Sequence, residues 1–158
     1  MCYFFTMHRT FFDIARVLLL LVALVMIPVA LAQPVINEVM PNPNDTAICS
    51  SADCTEWVEI YTNGTNVTGW VLNTTGQEIA VNISPPDYLV VTKNKTAFLL
   101  FWSINESIVI DAGSDIGLTN TGDTVTLWNG SMLIDNVSYT GFDSSSKINK
   151  TWARIPVY

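Results

Sequence analysis

Histidine is nearly missing from this chain. The single one, His8, stands in the basic start, and no residue from Gln33 onward is a histidine. A Ser-His-Asp or Cys-His constellation is therefore excluded there, and so is a His-based zinc or iron site. Basic residues are also scarce. Setting aside the first 32 residues removes Arg9, Arg16 and Asp13, which leaves five Lys and Arg against thirteen Asp and Glu, a net charge of −8. Phosphate recognition needs clustered Lys and Arg, and attraction to anionic lipid needs a basic patch. Neither nucleic acid nor an anionic membrane surface is an expected partner. No Gly-rich phosphate loop occurs. Charged residues of both signs make up eighteen of the 126 from Gln33 onward, well under the usual ~25%. The aromatic content is too high for a disordered chain, so Asn, Ser and Thr must supply the surface polarity.

Long apolar runs are confined to the N-terminus. Val17 to Ala32 carries no charge, follows Arg9 and Arg16, and closes on Ala30-Leu31-Ala32. A basic start, a short apolar core and small residues at alternate positions form the layout of a secretory signal peptide. The uncharged run continues to Ile36, long enough to span a bilayer as an uncleaved anchor. Under either reading the basic flank stays inside and the remainder is exported. The expected organisation is a signal peptide or membrane anchor over 1–32 and one domain over 33–158.

Three cysteines occur, and Cys2 lies ahead of the apolar run. Cys49 and Cys54 remain. In an exported chain, two cysteines this close most simply form one disulfide. A loop so short gives about 2 kcal/mol in the chain-entropy model, enough to pin a loop but not to hold a fold.

What the chain has in abundance is Asn-X-Ser/Thr, the acceptor for N-glycosylation. Ten of its thirteen asparagines lie in this motif: Asn44, Asn63, Asn66, Asn73, Asn82, Asn94, Asn105, Asn129, Asn136 and Asn149. With Ser and Thr at this frequency, chance gives about two or three. The sequons also fall where a glycan needs them. Alternation puts Ile79, Val81 and Ile83 on one strand face and Asn82 on the other, and sets Asn136 and Ser138 opposite Leu133, Val137 and Tyr139. Such decoration points to an extracytoplasmic surface.

Beyond the N-terminal segment no long helical periodicity appears. Short β-rich runs recur instead at Pro34–Met40, Glu56–Thr62, Val67–Leu72, Glu78–Ile83, Tyr88–Thr92, Ser107–Ile110, Asp123–Trp128, Met132–Tyr139 and Thr151–Ile155. Their spacing is that of a sandwich or barrel, and Ile79, Val81, Ile83, Val125 and Leu127 are expected to share one core. Asn129-Gly130 marks a hairpin turn. Thr96 to Trp102 reads equally as a short helix or an irregular crossing.

Several of these runs resemble the lamin tail domain family. Val35-Ile36-Asn37-Glu38-Val39 is similar to its opening strand, Glu56-Trp57-Val58-Glu59-Ile60-Tyr61 to the second, and Thr68-Gly69-Trp70-Val71-Leu72 to the next. Pro85-Pro86-Asp87-Tyr88-Leu89-Val90-Val91-Thr92 matches a turn and strand of the family. Leu118-Thr119-Asn120-Thr121-Gly122-Asp123-Thr124-Val125-Thr126-Leu127 is the most specific match. Ile134-Asp135-Asn136-Val137-Ser138-Tyr139 and Trp152-Ala153-Arg154-Ile155-Pro156 complete the order. The resemblance implies an all-β, immunoglobulin-like sandwich whose role is binding or tethering, with no catalytic residues and no cofactor. The cysteine loop and the sequon density depart from the family pattern.

The remaining chemistry is sparse. Glu38, Glu56, Glu59 and Asp135 could pair as acid and base in the manner of a glycosidase, but they lie in strand runs without a loop-built cleft. Asn42, Asn44, Asp45, Asp53 and Glu56 gather oxygens in one loop, and Asp111 and Asp115 flank Gly113. Neither group has the EF-hand pattern of a calcium site, so no metal is expected. Of five tryptophans, Trp57, Trp70 and Trp152 are expected in packing roles. Trp102 and Trp128 are the candidates for an exposed contact. The longest sequon-free stretches, Asn44–Asn63 and Asn105–Asn129, are expected to hold the binding face. The expected function is a noncatalytic binding or tethering module of the cell surface, with a surface protein or glycan as partner and membrane contact only through the N-terminal segment. The alternatives are a structural subunit of a surface layer or filament, or the accessory unit of a separately encoded envelope hydrolase.

Overall fold

The computed structural model describes residues 33–43, 55–113, 116–142 and 150–154. The N-terminal apolar run, Cys49, Cys54, Asn44, Asn149, Asp45, Asp53 and Asp115 lie outside the described residues. Among the described residues no helix is long and apolar enough to cross a membrane.

The elements in chain order are β1 (Val35–Met40), β2 (Trp57–Tyr61), β3 (Val71–Thr74), β4 (Gln77–Ala80), β5 (Tyr88–Thr92), α1 (Lys95–Trp102), a 3-10 turn (Glu106–Ile108), β6 (Val109–Asp111), β7 (Gly122–Asn129), β8 (Met132–Thr140) and β9 (Trp152–Ala153). They form two sheets, one of order β6-β5-β2-β1-β9 and one of order β4-β3-β7-β8. All neighbours are antiparallel except β5 and β6, which run parallel. The chain is an all-β sandwich with one short helix.

The core lies between the sheets because alternation sends every second side chain inward. Ile36, Val39, Val58, Ile60, Leu89 and Val91 come from the five-stranded sheet, and Leu72, Ile79, Val125, Leu127, Val137 and Tyr139 from the four-stranded one. Val81 joins them, and Ile83 packs against them partly buried, as the alternation of the sequence predicts.

Two β-bulges break the simple period. In β1 the register shifts between Ile36 and Glu38, so Asn37 has no partner of its own in β2. In β8 the register shifts opposite Leu127 and Trp128, leaving Ile134 as the extra residue. This second bulge corrects the face expected for Leu133. Val137 and Tyr139 point into the core, but Leu133, upstream of the bulge, is exposed. The β7–β8 hairpin turns at Gly130-Ser131 and not at Asn129-Gly130, because Asn129 still pairs with Met132. Gly130 supplies the positive φ of 58° at the first turn position.

The run expected over Val67–Leu72 begins as a strand only at Val71. Val67 and Trp70 are nevertheless buried in the core, carried there by a turn in which Trp70 N donates to Val67 O. Ser107 and Ile108 form the 3-10 turn, not the start of a strand.

The ambiguous segment is a helix, and topology explains why. A strand cannot join a parallel neighbour by a tight turn, so the chain must cross over between β5 and β6. Asn94 caps the start of α1, its Oδ1 accepting from Ala97 N at 3.0 Å. Ser103, at φ 48°, ends it, donating its N–H to Leu99 O at 3.1 Å. α1 lies on the outer face of the five-stranded sheet, where Phe98 joins Met40, Trp57, Val90 and Val109 in a second, smaller core.

Candidate functional site

α1 is apolar on more of its circumference than it can bury. Ala97 to Trp102 is an unbroken run of six apolar residues, yet only Ala97 and Phe98 are buried within the helix. A helix apolar all round is normally covered on all sides. Here Leu100 is 79% exposed, Phe101 46%, Trp102 46% and Ile104 37%. These four make the densest cluster of exposed large apolar side chains among the described residues.

The ridge is anchored from below. Trp102 meets Trp57 edge-to-face, with ring centroids 6.0 Å apart, and Phe101 at 4.9 Å. Trp57 in turn meets Phe98 at 5.9 Å. The aromatic side chains thus brace one another, which holds the exposed rings in place with little loss of freedom on binding. Asn94 and Asn105, both in sequons, stand at the two ends of the segment. Each uses its side-chain oxygen to cap a backbone N–H, Ala97 N and Ser107 N, both at 3.0 Å. A glycan bonds the amide nitrogen, so modification is compatible with both caps.

The two sequon-free stretches meet elsewhere. Glu56 accepts a hydrogen bond from Leu118 N at 3.1 Å, across 62 residues of sequence. Burial pushes the Glu56 carboxyl above its ordinary value, opposed by the Leu118 N–H and by Lys93, whose Nζ lies 4.0 Å away. Nearby Asp123 accepts from Thr124 N at 2.7 Å, from Thr75 and Thr119 N at 3.4 Å, and from the Thr75 hydroxyl. Tyr139 projects toward both carboxylates. Burial pushes its hydroxyl well above the usual range, and Asp123 and Glu56 add to the effect. The arrangement organises loops, its carboxylates held by backbone N–H groups, the Thr75 hydroxyl and Lys93.

The other carboxylates have similar work. Glu59 accepts from Asn37 Nδ2 at 2.7 Å, and burial followed by the facing Glu38 sets its pKa raised. Asp135 binds Ile36 N and Arg154 Nη2, both at 2.7 Å. Asn42 donates to Phe142 O at 2.6 Å, and Asp111 accepts from Gly113 N at 3.1 Å. Among the described residues no three His, Cys, Asp or Glu side chains converge as a metal group would require.

The tryptophans divide. Trp57 and Trp70 are buried, and Trp152 packs against the main core. Trp102 is exposed as expected of a contact residue. Trp128 is half-buried, its indole N–H donating to Thr126 Oγ1 at 2.8 Å on its own strand. Of the sequons, Asn66, Asn82, Asn94, Asn105, Asn129 and Asn136 are exposed, whereas Asn63 and Asn73 are half-buried.

The ridge residues Leu100, Phe101 and Ile104 were not singled out by sequence reasoning, and they fall outside both sequon-free stretches. The signal was present, since six consecutive apolar residues exceed what one face of a short helix can bury. No family model, no curated protein and no solved structure matches the chain.

Proposed function

We propose that this chain is a noncatalytic, extracytoplasmic binding or tethering module of the cell surface, which meets its partner through the exposed ridge of α1. The observation that carries this reading is the uncovered apolar ridge, Leu100 above all. The pattern of small surface residues elsewhere, with Asn, Ser and Thr outnumbering charge, isolates the ridge as the one strongly apolar face of α1 and its flank. An apolar, uncharged contact suits the surface of another protein better than an ionic ligand.

Two further supports come from the sequence. The N-terminal segment with its Ala30-Leu31-Ala32 ending supports export, and the sequon density supports an extracytoplasmic, glycosylated surface. The two-sheet architecture is compatible with the lamin-tail resemblance, so we read the sandwich as immunoglobulin-like and lamin-tail-like, a fold that serves attachment in that family. The carboxylates act as hydrogen-bond acceptors within the fold, which supports the noncatalytic reading.

The test is retention of the exported domain on the cell-envelope fraction. Leu100→Glu places a charge on the most exposed ridge position without touching the Trp57–Trp102 contact. Retention is expected to fall about tenfold, the cost of one hot-spot side chain, with the melting temperature unchanged. Unchanged retention in both Leu100→Glu and Phe101→Ser would remove the ridge as the contact surface.

A further inference from the structure

A sandwich of open sheets has four edge strands, and each exposes unpaired backbone groups that invite another strand. Three edges here are short. β6 has three residues, β9 two and β4 four. β4 also presents exposed Gln77 and Glu78, and β6 ends on exposed Asp111. β8 is different. It is nine residues long and stands at the end of its sheet.

Its first half is blunted by recognisable devices. The bulge at Ile134 interrupts the ladder, and Asp135, held by Ile36 N and Arg154, turns a charge toward the other sheet. The second half has neither. From Asn136 to Thr140 the pairing with β7 is regular, running from Asn136↔Thr126 to Thr140↔Gly122. This segment contains no charge, no proline and no glycine. Two copies of an acidic protein repel each other over most of their surfaces, but not along these five residues. Among the described residues, the one blunting device in the segment is the sequon Asn136-Val137-Ser138, with both Asn136 and Ser138 exposed on the outer face.

We propose that Asn136 carries an N-linked glycan that keeps β8 from pairing with the β8 of a second copy of this chain. The inference rests on the extracytoplasmic reading. In the modification, the Asn136 amide nitrogen bonds the anomeric carbon of a sugar activated as a lipid-linked phosphate ester. The C–O bond to phosphate breaks, the lipid phosphate leaves with the electron pair, and the amide loses one proton. A neighbouring strand would have to lie about 4.8 Å from β8. A sugar on Asn136, at the start of this segment, stands on the outer face beside that position and crowds the approach of a second copy.

Site-resolved mass spectrometry of the native exported protein and light scattering over a concentration series test this together. Asn136 is expected to be occupied and the wild type monomeric. Asn136→Gln and Ser138→Ala both abolish the sequon, by different side chains, and both are expected to double in mass as concentration rises. Ser138→Thr keeps the sequon and is expected to stay monomeric, as is Asn82→Gln, which removes a sequon from a position outside the strands. A bare Asn136 in the wild type overturns the proposal, and so do monomers of both Asn136→Gln and Ser138→Ala at every concentration. Envelope retention of the Leu100→Glu variant is a separate readout, so failure of the ridge reading and failure of the edge reading are distinguishable.

Discussion

Arg154 Nη2 donates to Asp135 Oδ2 at 2.7 Å, joining the end of β9 to the middle of β8 and so one sheet to the other. The same carboxylate oxygen accepts from Ile36 N at 2.7 Å, next to the β1 bulge. Arg154 also donates from Nε to Ile36 O at 3.2 Å, and its backbone N–H to Asn37 O at 2.9 Å. One arginine and one aspartate therefore satisfy backbone groups of Ile36 and Asn37 beside the bulge. Both side chains are largely screened from solvent, which separates this pair from an ordinary surface ion pair.

Asp135→Ala should cost about 2–3 kcal/mol of unfolding free energy. The loss includes charge-assisted hydrogen bonds and strands both the Ile36 N–H and the guanidinium without an acceptor. Asp135→Asn keeps an acceptor oxygen and should cost less. Urea denaturation of the two variants with equal slopes checks the order, and equal stability of Asp135→Ala and wild type would show that the pair contributes nothing.

Gly122 makes a second prediction. It opens β7 at φ 150°, and a Cβ there would lie 2.9 Å from Tyr139 O, which is backbone and cannot swing aside. It also closes a turn in which its N–H donates to Thr119 O at 3.1 Å, beside the Asp123 acceptor. Gly122→Ala should destabilise by about 2 kcal/mol or more, from strain and the close approach together. Gly76→Ala, where a Cβ meets nothing within 4 Å but φ is 80°, should show the backbone part alone and a smaller loss of melting temperature.

Much of this architecture is legible in the residues. The alternation in Val125 and Leu127, or in Val137 and Tyr139, needs no partner to be read, since each side chain reports its own face. The bulges do not announce themselves in that way. Whether Ile134 is paired or looped out depends on which residue of β7 lies opposite, and Leu133 looks like an inward residue until the register is known. The crossover helix is hidden for a related reason, because nothing local in Thr96 to Trp102 says that β6 will lie parallel to β5. Trp102 could be suspected as exposed from its position alone. Leu100 and Phe101 required knowing which single face of the helix the sheet covers.

The pH dependence follows from Glu59. Burial, and then the facing Glu38, raises its pKa, while the hydrogen bond from Asn37 works the other way. A carboxyl whose folded pKa lies above its unfolded value binds its proton more tightly in the native state. Its contribution is then fully favourable below the unfolded pKa and is lost as pH rises through the folded one. Glu56 is raised by burial in the same direction. Acidifying from pH 7 into the carboxylate range should therefore raise the stability that these two groups contribute. Glu59→Gln keeps an acceptor for Asn37 and removes the charge. It should be more stable than wild type at pH 7, with the difference shrinking as pH falls. Melting curves of the two proteins from pH 7 to pH 4 decide this, and a difference that widens on acidification would refute it.

Asn73 supplies the last prediction. It lies on the outward face of β3, an interior strand, with Glu78 and Thr126 as its cross-strand neighbours. Its side-chain Oδ1 is buried and unpartnered among the described residues. Trp128 donates its indole N–H to Thr126, the residue paired with Asn73 on the neighbouring strand. The third sequon residue, Thr75, gives its hydroxyl to Asp123. A glycan at Asn73 would have to leave a half-buried site between two paired strands, whereas one at Asn66, Asn94 or Asn105 would not, since those asparagines are exposed and already direct only their oxygen to the backbone. Glycopeptide mapping of the native protein should then find Asn73 largely unmodified beside occupied Asn66, Asn94 and Asn105. Trp128→Ala removes the bulky indole held to Asn73's neighbour Thr126 and should raise occupancy at Asn73, provided that modification takes place on the folded domain. Full occupancy of Asn73 in the wild type would show that the enzyme acts before β3 and β7 pair, and that the sandwich accommodates a sugar on this face.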